Sequence, residues 1–190
     1  MRRIVKVFLT MLLLVGASQA SAFEGGLFKG DFEINGRLAF SHNNVSYDGD
    51  SRGSTSDLEL STFMGVFVSD LIQLGGTLFV ANSSVDPDNG DSYSGTMFGI
   101  GPDIVFNFNN EGPIVPFIDF AVAIAMYSGD IYGEETGYIL PSLQVGIRAL
   151  IGNSAAANFG IGYARTINNS GIEDLSSNSL SLFAGFSVFP

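Results

Sequence analysis

From residue 32 onward the chain alternates between apolar and polar positions. In the stretch 32–41, Phe32, Ile34, Leu38 and Phe40 fall on one side with Gly36, and Glu33, Asn35, Arg37, Ala39 and Ser41 fall on the other. A period of two marks a β-strand with one apolar face, because successive side chains leave opposite faces of the pleat. The pattern returns with Leu58, Leu60, Met64, Val66 and Val68, then with Leu74, Leu78 and Val80, and with Phe98, Ile100, Ile104 and Phe106. It continues through Ile118, Phe120, Val122, Ile124 and Met126, and through Ile139, Leu143, Val145 and Ile147. Phe159, Ile161 and Tyr163 make a seventh set, and Leu180, Leu182, Phe186 and Val188 an eighth. Eight strands are predicted.

The connections alternate in length. Residues 43–56, 82–92, 128–136 and 166–177 are long and rich in Ser, Asn, Asp and Gly, whereas 69–72, 108–114 and 152–155 are short. Long loops at one end and tight turns at the other are the layout of an up-and-down antiparallel barrel with both termini on the short-turn side. The expected fold class is therefore all-β, an eight-stranded antiparallel transmembrane β-barrel. The rival is a soluble secreted barrel, which would turn the apolar phase inward around a ligand. Such a barrel needs about a quarter to a third of its surface charged. Here only 14% of residues are charged and the polar phases are Ser, Gly, Ala, Asn and Gln, which suits the narrow interior of eight strands instead.

The first residues belong to a different pattern. Arg2, Arg3 and Lys6 precede an apolar run from Val7 to Val15, and Ala20, Ser21 and Ala22 offer a small-residue cleavage site. This reads as a secretory signal peptide over 1–22, leaving a barrel domain over 23–190. An anchor helix is the alternative, but the run is short of the roughly 20 residues a span needs. Removing 1–22 takes three of the eight basic residues, so 5 bases face 19 acids, a net charge of −14. That balance repels a phosphate backbone, so no nucleic acid is expected as a partner. The absence of Cys excludes thiol catalysis and thiolate metal sites, and no cofactor is expected.

With these elements in place, the chain resembles the small eight-stranded bacterial outer-membrane β-barrels of the OmpX and OmpA transmembrane-domain type. The segment Ser61 to Gly75, STFMGVFVSDLIQLG, is similar to that family's second strand, tight turn and third strand, and Leu180 to Phe189, LSLFAGFSVF, to its C-terminal insertion signal. Pro190 departs from the usual terminal aromatic. The resemblance implies a bacterial outer membrane, contact with its lipid and lipopolysaccharide, and assembly by the barrel-assembly machinery through the last strand. It implies no catalytic activity.

On the polar phase of the strands, Glu33, Arg37, Glu59, Asp103, Asp119 and Arg148 all project inward. Four acids around two arginines predict an ion-pair network filling the lumen, since the guanidinium fork binds two carboxylates and stays charged. Excess acid leaves room for a cation or a proton. Phe63, Phe67, Phe79, Tyr127 and Phe183 share the inward phase, so the interior is expected to be plugged. Phe28, Phe108, Tyr127, Tyr138, Tyr163 and Phe189, near strand ends, are candidates for interface girdles.

His42, the only histidine, lies where the first strand meets the first long loop, beside Ser41 and near Ser46. No acid stands at a spacing that marks a triad, so a surface histidine is the expectation. The long loops carry Asp48, Asp50, Asp86, Asp88, Asp91, Asp130, Glu134, Glu135, Glu173 and Asp174 against Arg52. The stretch Asp86 to Asp91 resembles a calcium loop but has Asp91 and Met97 where an EF-hand needs Gly and Glu, so divalent cations are at most weak loop partners. The function expected is a non-enzymatic, structural or surface-interaction role. The alternatives are a small outer-membrane transporter of apolar solutes and a lipid A-modifying enzyme.

Overall fold

The structure, a computed structural model, describes residues 27, 29–47, 50–87, 91–108, 112–129, 136–152, 154–168 and 176–190. The signal-peptide segment lies outside the described residues. Eight strands follow one another: β1 (Phe32–Tyr47), β2 (Asp50–Phe67), β3 (Ile72–Pro87), β4 (Tyr93–Asn107), β5 (Ile114–Gly129), β6 (Thr136–Ile151), β7 (Ala155–Asn168) and β8 (Ser176–Val188). Each pairs antiparallel with the next, and β1 pairs with β8 from Ile34↔Val188 to Ser41↔Ser181, closing the sheet into a barrel. Closure removes both sheet edges, so the wall has no exposed row of unpaired backbone groups.

The short connections are built by turn chemistry. Ser69 and Ile72 exchange backbone hydrogen bonds of 3.2 and 3.3 Å around Asp70 and Leu71, and the Ser69 hydroxyl accepts from the Ile72 amide at 3.1 Å. Asp70 also accepts from the Lys29 amide at 3.0 Å, which ties the segment before β1 to this turn. Gly152, with φ +63°, takes the left-handed conformation at the β6–β7 turn.

At the other end the strands run further than the apolar pattern predicts. Residues 43–47 and 50–56 pair from Asn43↔Thr55 to Tyr47↔Asp50, with an irregularity between Val45 and Ser46, where a loop is expected. Ladder hydrogen bonds do not depend on apolar side chains, so pairing continues where the alternation stops. The alternation records contact with an apolar medium, and it ends where that medium ends.

The side chains are sorted inside out. Leu60, Ile124 and Leu182 on the outer phase are 63%, 66% and 64% exposed, while Glu33, Gln73 and Asn158 on the inner phase are 0% exposed. A soluble barrel would bury the first set. This wall instead presents a hydrocarbon-compatible band, as a membrane-spanning barrel must. Two expectations about aromatics part here. Phe108 and Tyr163 are exposed, but Tyr127, Tyr138 and Phe189 are buried inside, because each shares its strand's inward parity with Asp119, Arg148 and Ser187. Phe28 lies outside the described residues.

The interior is filled by rings laid over glycines of neighbouring strands. A Cβ added at Gly99 would stand 2.4 Å from the Phe79 ring, one at Gly160 2.5 Å from Phe183, and one at Gly146 2.8 Å from Phe117. Phe63 covers Gly75 of β3 in the same way, and also Gly65 two residues on in its own strand. Eight strands leave little space, so a large side chain on one strand requires none on the next. Gly99→Ala is expected to lower the denaturant midpoint of the refolded barrel, by roughly 1–3 kcal/mol of overpacking. Adding Phe79→Leu should recover part of that loss, and strictly additive losses would show that ring and glycine do not share the space.

Candidate functional site: the ionic lumen

The lumen is stacked in floors. At the short-turn end Leu27, Phe67, Val115, Leu150, Ala156 and Phe189 form a dry apolar plug. Next comes the first ionic group. Arg148 donates to both oxygens of Glu33, at 3.0 and 2.8 Å, and also to Asn107 at 3.1 Å and Asn158 at 3.2 Å. Glu33 further accepts from Gln73 at 2.6 Å and from the Ser187 hydroxyl, while Asn35 and Asn158 donate to Ser187 at 3.1 and 2.6 Å. Arg148 lies between two rings, 5.6 Å from the Phe117 centroid and 5.7 Å from that of Phe189.

Above it Ala39, Phe63, Val105, Phe117 and Phe183 form an apolar cluster. The second ionic group packs against this cluster, with Val105 paired to Asp119 and Ala39 two residues beyond Arg37. Arg37 pairs with Asp119 at 3.4 Å, donates to Gln144, and lies 4.8 Å over the Phe183 ring. Phe117 and Phe183 touch with centroids 6.3 Å apart, so one aromatic contact separates the two arginines and stacks on each. Toward the long loops a third apolar group, Phe79, Ala81, Ala123, Ala125, Tyr127, Tyr138 and Leu140, fills the wall of β3, β5 and β6.

The six charged residues singled out in the sequence are thus divided. Glu33 with Arg148 and Arg37 with Asp119 form the two ion pairs among the described residues. Asp103 instead accepts from Thr77, and its other carboxylate oxygen has no partner. Glu59 stands half-buried on β2 and belongs to neither pair. The residues that sequence reading passed over are neutral: Asn35, Gln73, Asn107, Gln144, Asn158 and Ser187. Their inward parity was available, but the register that brings them to the arginines was not.

His42 is on the outer face, at the upper edge of the apolar band beyond Phe40. Its Nδ1 lies 2.9 Å from the Ser56 hydroxyl across the β1–β2 ladder. Asp57, the acid next in the chain, is on the opposite face, where it accepts from Ser41 at 2.7 Å. Of the loop acids, Asp86 is exposed at the end of β3. The side chains of Asp50 and Arg52, and residues Asp48, Asp88, Asp130, Glu134, Glu135, Glu173 and Asp174, lie outside what the structure describes.

No protein-family model matches the chain, and no curated protein matches it by sequence. Solved structures do. Neisserial surface protein A is 14% identical with a TM-score of 0.55, covering 84% of this chain and 97% of its own. The outer membrane protein OprG from Pseudomonas aeruginosa is 13% identical with a TM-score of 0.54, covering 86% and 97%. The fold is that of a small outer-membrane β-barrel. The outer membrane enzyme PagL, 17% identical with a TM-score of 0.50 over 83% of this chain and 99% of its own, shares it. A barrel of this kind therefore carries different roles, and the role has to be argued from side chains.

Removing one partner of a buried ion pair leaves the other charged and dry. Arg148→Ala is expected to destabilise the barrel by about 3–5 kcal/mol, read as a lower denaturant midpoint of the heat-modifiable folded form. The double change Glu33→Gln with Arg148→Met should lose less than Arg148→Ala alone. An unchanged midpoint in Arg148→Ala would mean that water reaches the site.

Proposed function

We propose that the chain is exported with residues 1–22 removed, is inserted into the bacterial outer membrane through its C-terminal strand by the barrel-assembly machinery, and serves there as a non-enzymatic structural or surface-interaction protein. The observation that carries this reading is the stacked lumen. From the long-loop end toward the short turns lie the Phe79, Tyr127 and Tyr138 group, then the Arg37–Asp119 pair packed with Phe63, Phe117 and Phe183, then the Glu33–Arg148 group, then the Leu27, Phe67 and Phe189 plug. Charge pairs and apolar clusters in series are expected to block hydrated ions in so narrow a barrel. What remains for interaction is the outer surface: the apolar band toward lipid, and acidic long loops toward lipopolysaccharide, divalent cations or a macromolecular partner.

Hydrolysis is less well supported by the geometry. Activation of a serine needs a base that is itself oriented by a third group. His42 and Ser56 face outward while Asp57 faces the lumen with Ser41, so the wall of the barrel separates the pair from the adjacent acid.

Three measurements test the reading. Purified protein in planar bilayers should give no steady conductance steps, and reproducible large steps would defeat the plugged lumen. Mass spectrometry of lipid A from cells expressing the protein should be the same for the wild type and His42→Ala; a His42-dependent change in mass would make the protein an enzyme. Because the chain has no Cys, single engineered thiols report orientation. Gly133→Cys and Gly171→Cys should react with a membrane-impermeant maleimide on intact cells, and Asp70→Cys and Asn153→Cys should not. The reverse pattern would place the acidic loops in the periplasm and end the surface-interaction role.

A further inference from the structure

Inward-facing oxygens on four consecutive strands meet in one part of the lumen. Thr77 of β3 donates its hydroxyl to Asp103 of β4. In the β4–β5 ladder Asp103 stands opposite Ala121 and Val105 opposite Asp119. The two carboxylates are therefore diagonal neighbours on the inner face, with backbones about 7–8 Å apart, and two short side chains across that distance have room for one ion between them. Asp119 in turn stands directly opposite Gln144 of β6. The result is an arc of hydroxyl, carboxylate, carboxylate and amide oxygen.

The hydrogen bonds of this arc leave two acceptors over. Asp103 accepts from Thr77 with one oxygen, and Asp119 accepts from Arg37 at 3.4 Å with its Oδ2. The Oδ1 atoms of both are buried with no hydrogen-bond partner among the described residues, on side chains only 6% and 2% exposed. Charge is left over as well. Arg148 is matched by Glu33, so among the described residues Arg37 alone serves both Asp103 and Asp119, with Glu59 half-buried beside them on β2. Asp119 and Arg37 are both within electrostatic reach of Asp103. An unmatched buried carboxylate is costly, and water offers it hydrogen bonds but no charge.

We propose that Asp103 and Asp119, flanked by Thr77 and Gln144, bind one monovalent metal cation in the lumen. Donors that are all oxygen, without nitrogen or sulfur, are those that hard cations take. One positive charge, rather than two, brings Asp103, Asp119 and Arg37 to neutrality. The approach lies on the long-loop side, where the inward residues Thr77, Ala121, Ser142 and Gln144 are half-buried, as are Ser179 and Ser181 across the lumen. On the short-turn side Phe117 and Phe183 are buried, and the Arg37 guanidinium lies against the Phe183 ring. The site is a dead end. Its ion is resident and is not conducted.

The test is equilibrium dialysis of radioactive sodium against the folded, heat-modifiable protein in nonionic detergent, with choline chloride holding the ionic strength. The folded barrel should retain one sodium ion, and the boiled form should not. Asp103→Asn keeps the shape of the side chain and should weaken retention by roughly tenfold or more, since loss even of a group behind a metal's ligands costs that much. Asp70→Asn, at the exposed turn, should leave retention unchanged. Should Asp103→Asn fail to reach the folded form, Thr77→Val and competition on the wild type decide: Thr77→Val should weaken retention, and potassium should displace sodium where choline does not. Absence of a retained ion, retention indifferent to both Asp103→Asn and Thr77→Val, or displacement by calcium far below the potassium concentration that achieves it would each overturn the monovalent site. So would a protonated-carboxyl infrared band that persists in saturating sodium and disappears in Asp103→Asn, because a proton would then stand where the ion is placed.

Discussion

The structure depends on one inversion: the medium outside the wall is apolar, so every polar group within the membrane must find its partner inside the protein. Closure of β8 onto β1 meets this demand for the backbone. For side chains it means that charge is placed in the lumen, where Glu33 and Asp119 are paired with arginines and Asp103 is held by Thr77. Glu33 shows how completely this is done, with both oxygens held by Arg148 and further bonds from Gln73 and Ser187. The same physics makes the pairs stabilising only as sets, because each member is tolerable only while its partners remain.

Aromatic rings complete what the ion pairs begin. Phe117 and Phe183 lie in contact, each with its face against one arginine, and so serve as packing, as a cation-binding face and as a partition between two charged groups. Such rings fit a narrow barrel only because glycines give way to them on the adjacent strands. On the lumen side glycine thus records where a neighbour is large. On the lipid side at Gly76 no lumen ring claims the space, and the missing side chain leaves a groove in the wall. One residue type has opposite consequences on the two faces.

The stacked lumen and the split between His42 with Ser56 and Asp57 bear on function through the same geometry. A β-wall puts residues one apart on opposite faces, so chemistry that needs neighbours in sequence to meet in space is hard to assemble across it. Chemistry that needs residues far apart is easy, provided both point inward. Glu33 and Arg148 are 115 positions apart, and Arg37 and Asp119 are 82 apart. The barrel brings such pairs together as a matter of course. In this chain that capacity assembles the two ion pairs of the lumen.

The sequence by itself determined whatever is local to a strand. The period of two gave the number of strands, which phase is apolar, and that Glu33, Arg37, Glu59, Asp103, Asp119 and Arg148 share the other phase. The scarcity of charge then showed that the apolar phase faces lipid. These follow from the alternation of side chains along any extended chain and need no knowledge of neighbours. Tertiary structure decided which inward residues meet, because register and the stagger of the closed wall are properties of all eight strands at once. That is why four of the six charges form two separate pairs while Asp103 turns to Thr77 and Glu59 joins neither pair. It is also why Asn107 and Asn158 could be read as inward but not as ligands of Arg148. The true ends of the strands were likewise invisible, since backbone pairing beyond the membrane leaves no mark in the pattern of apolar side chains.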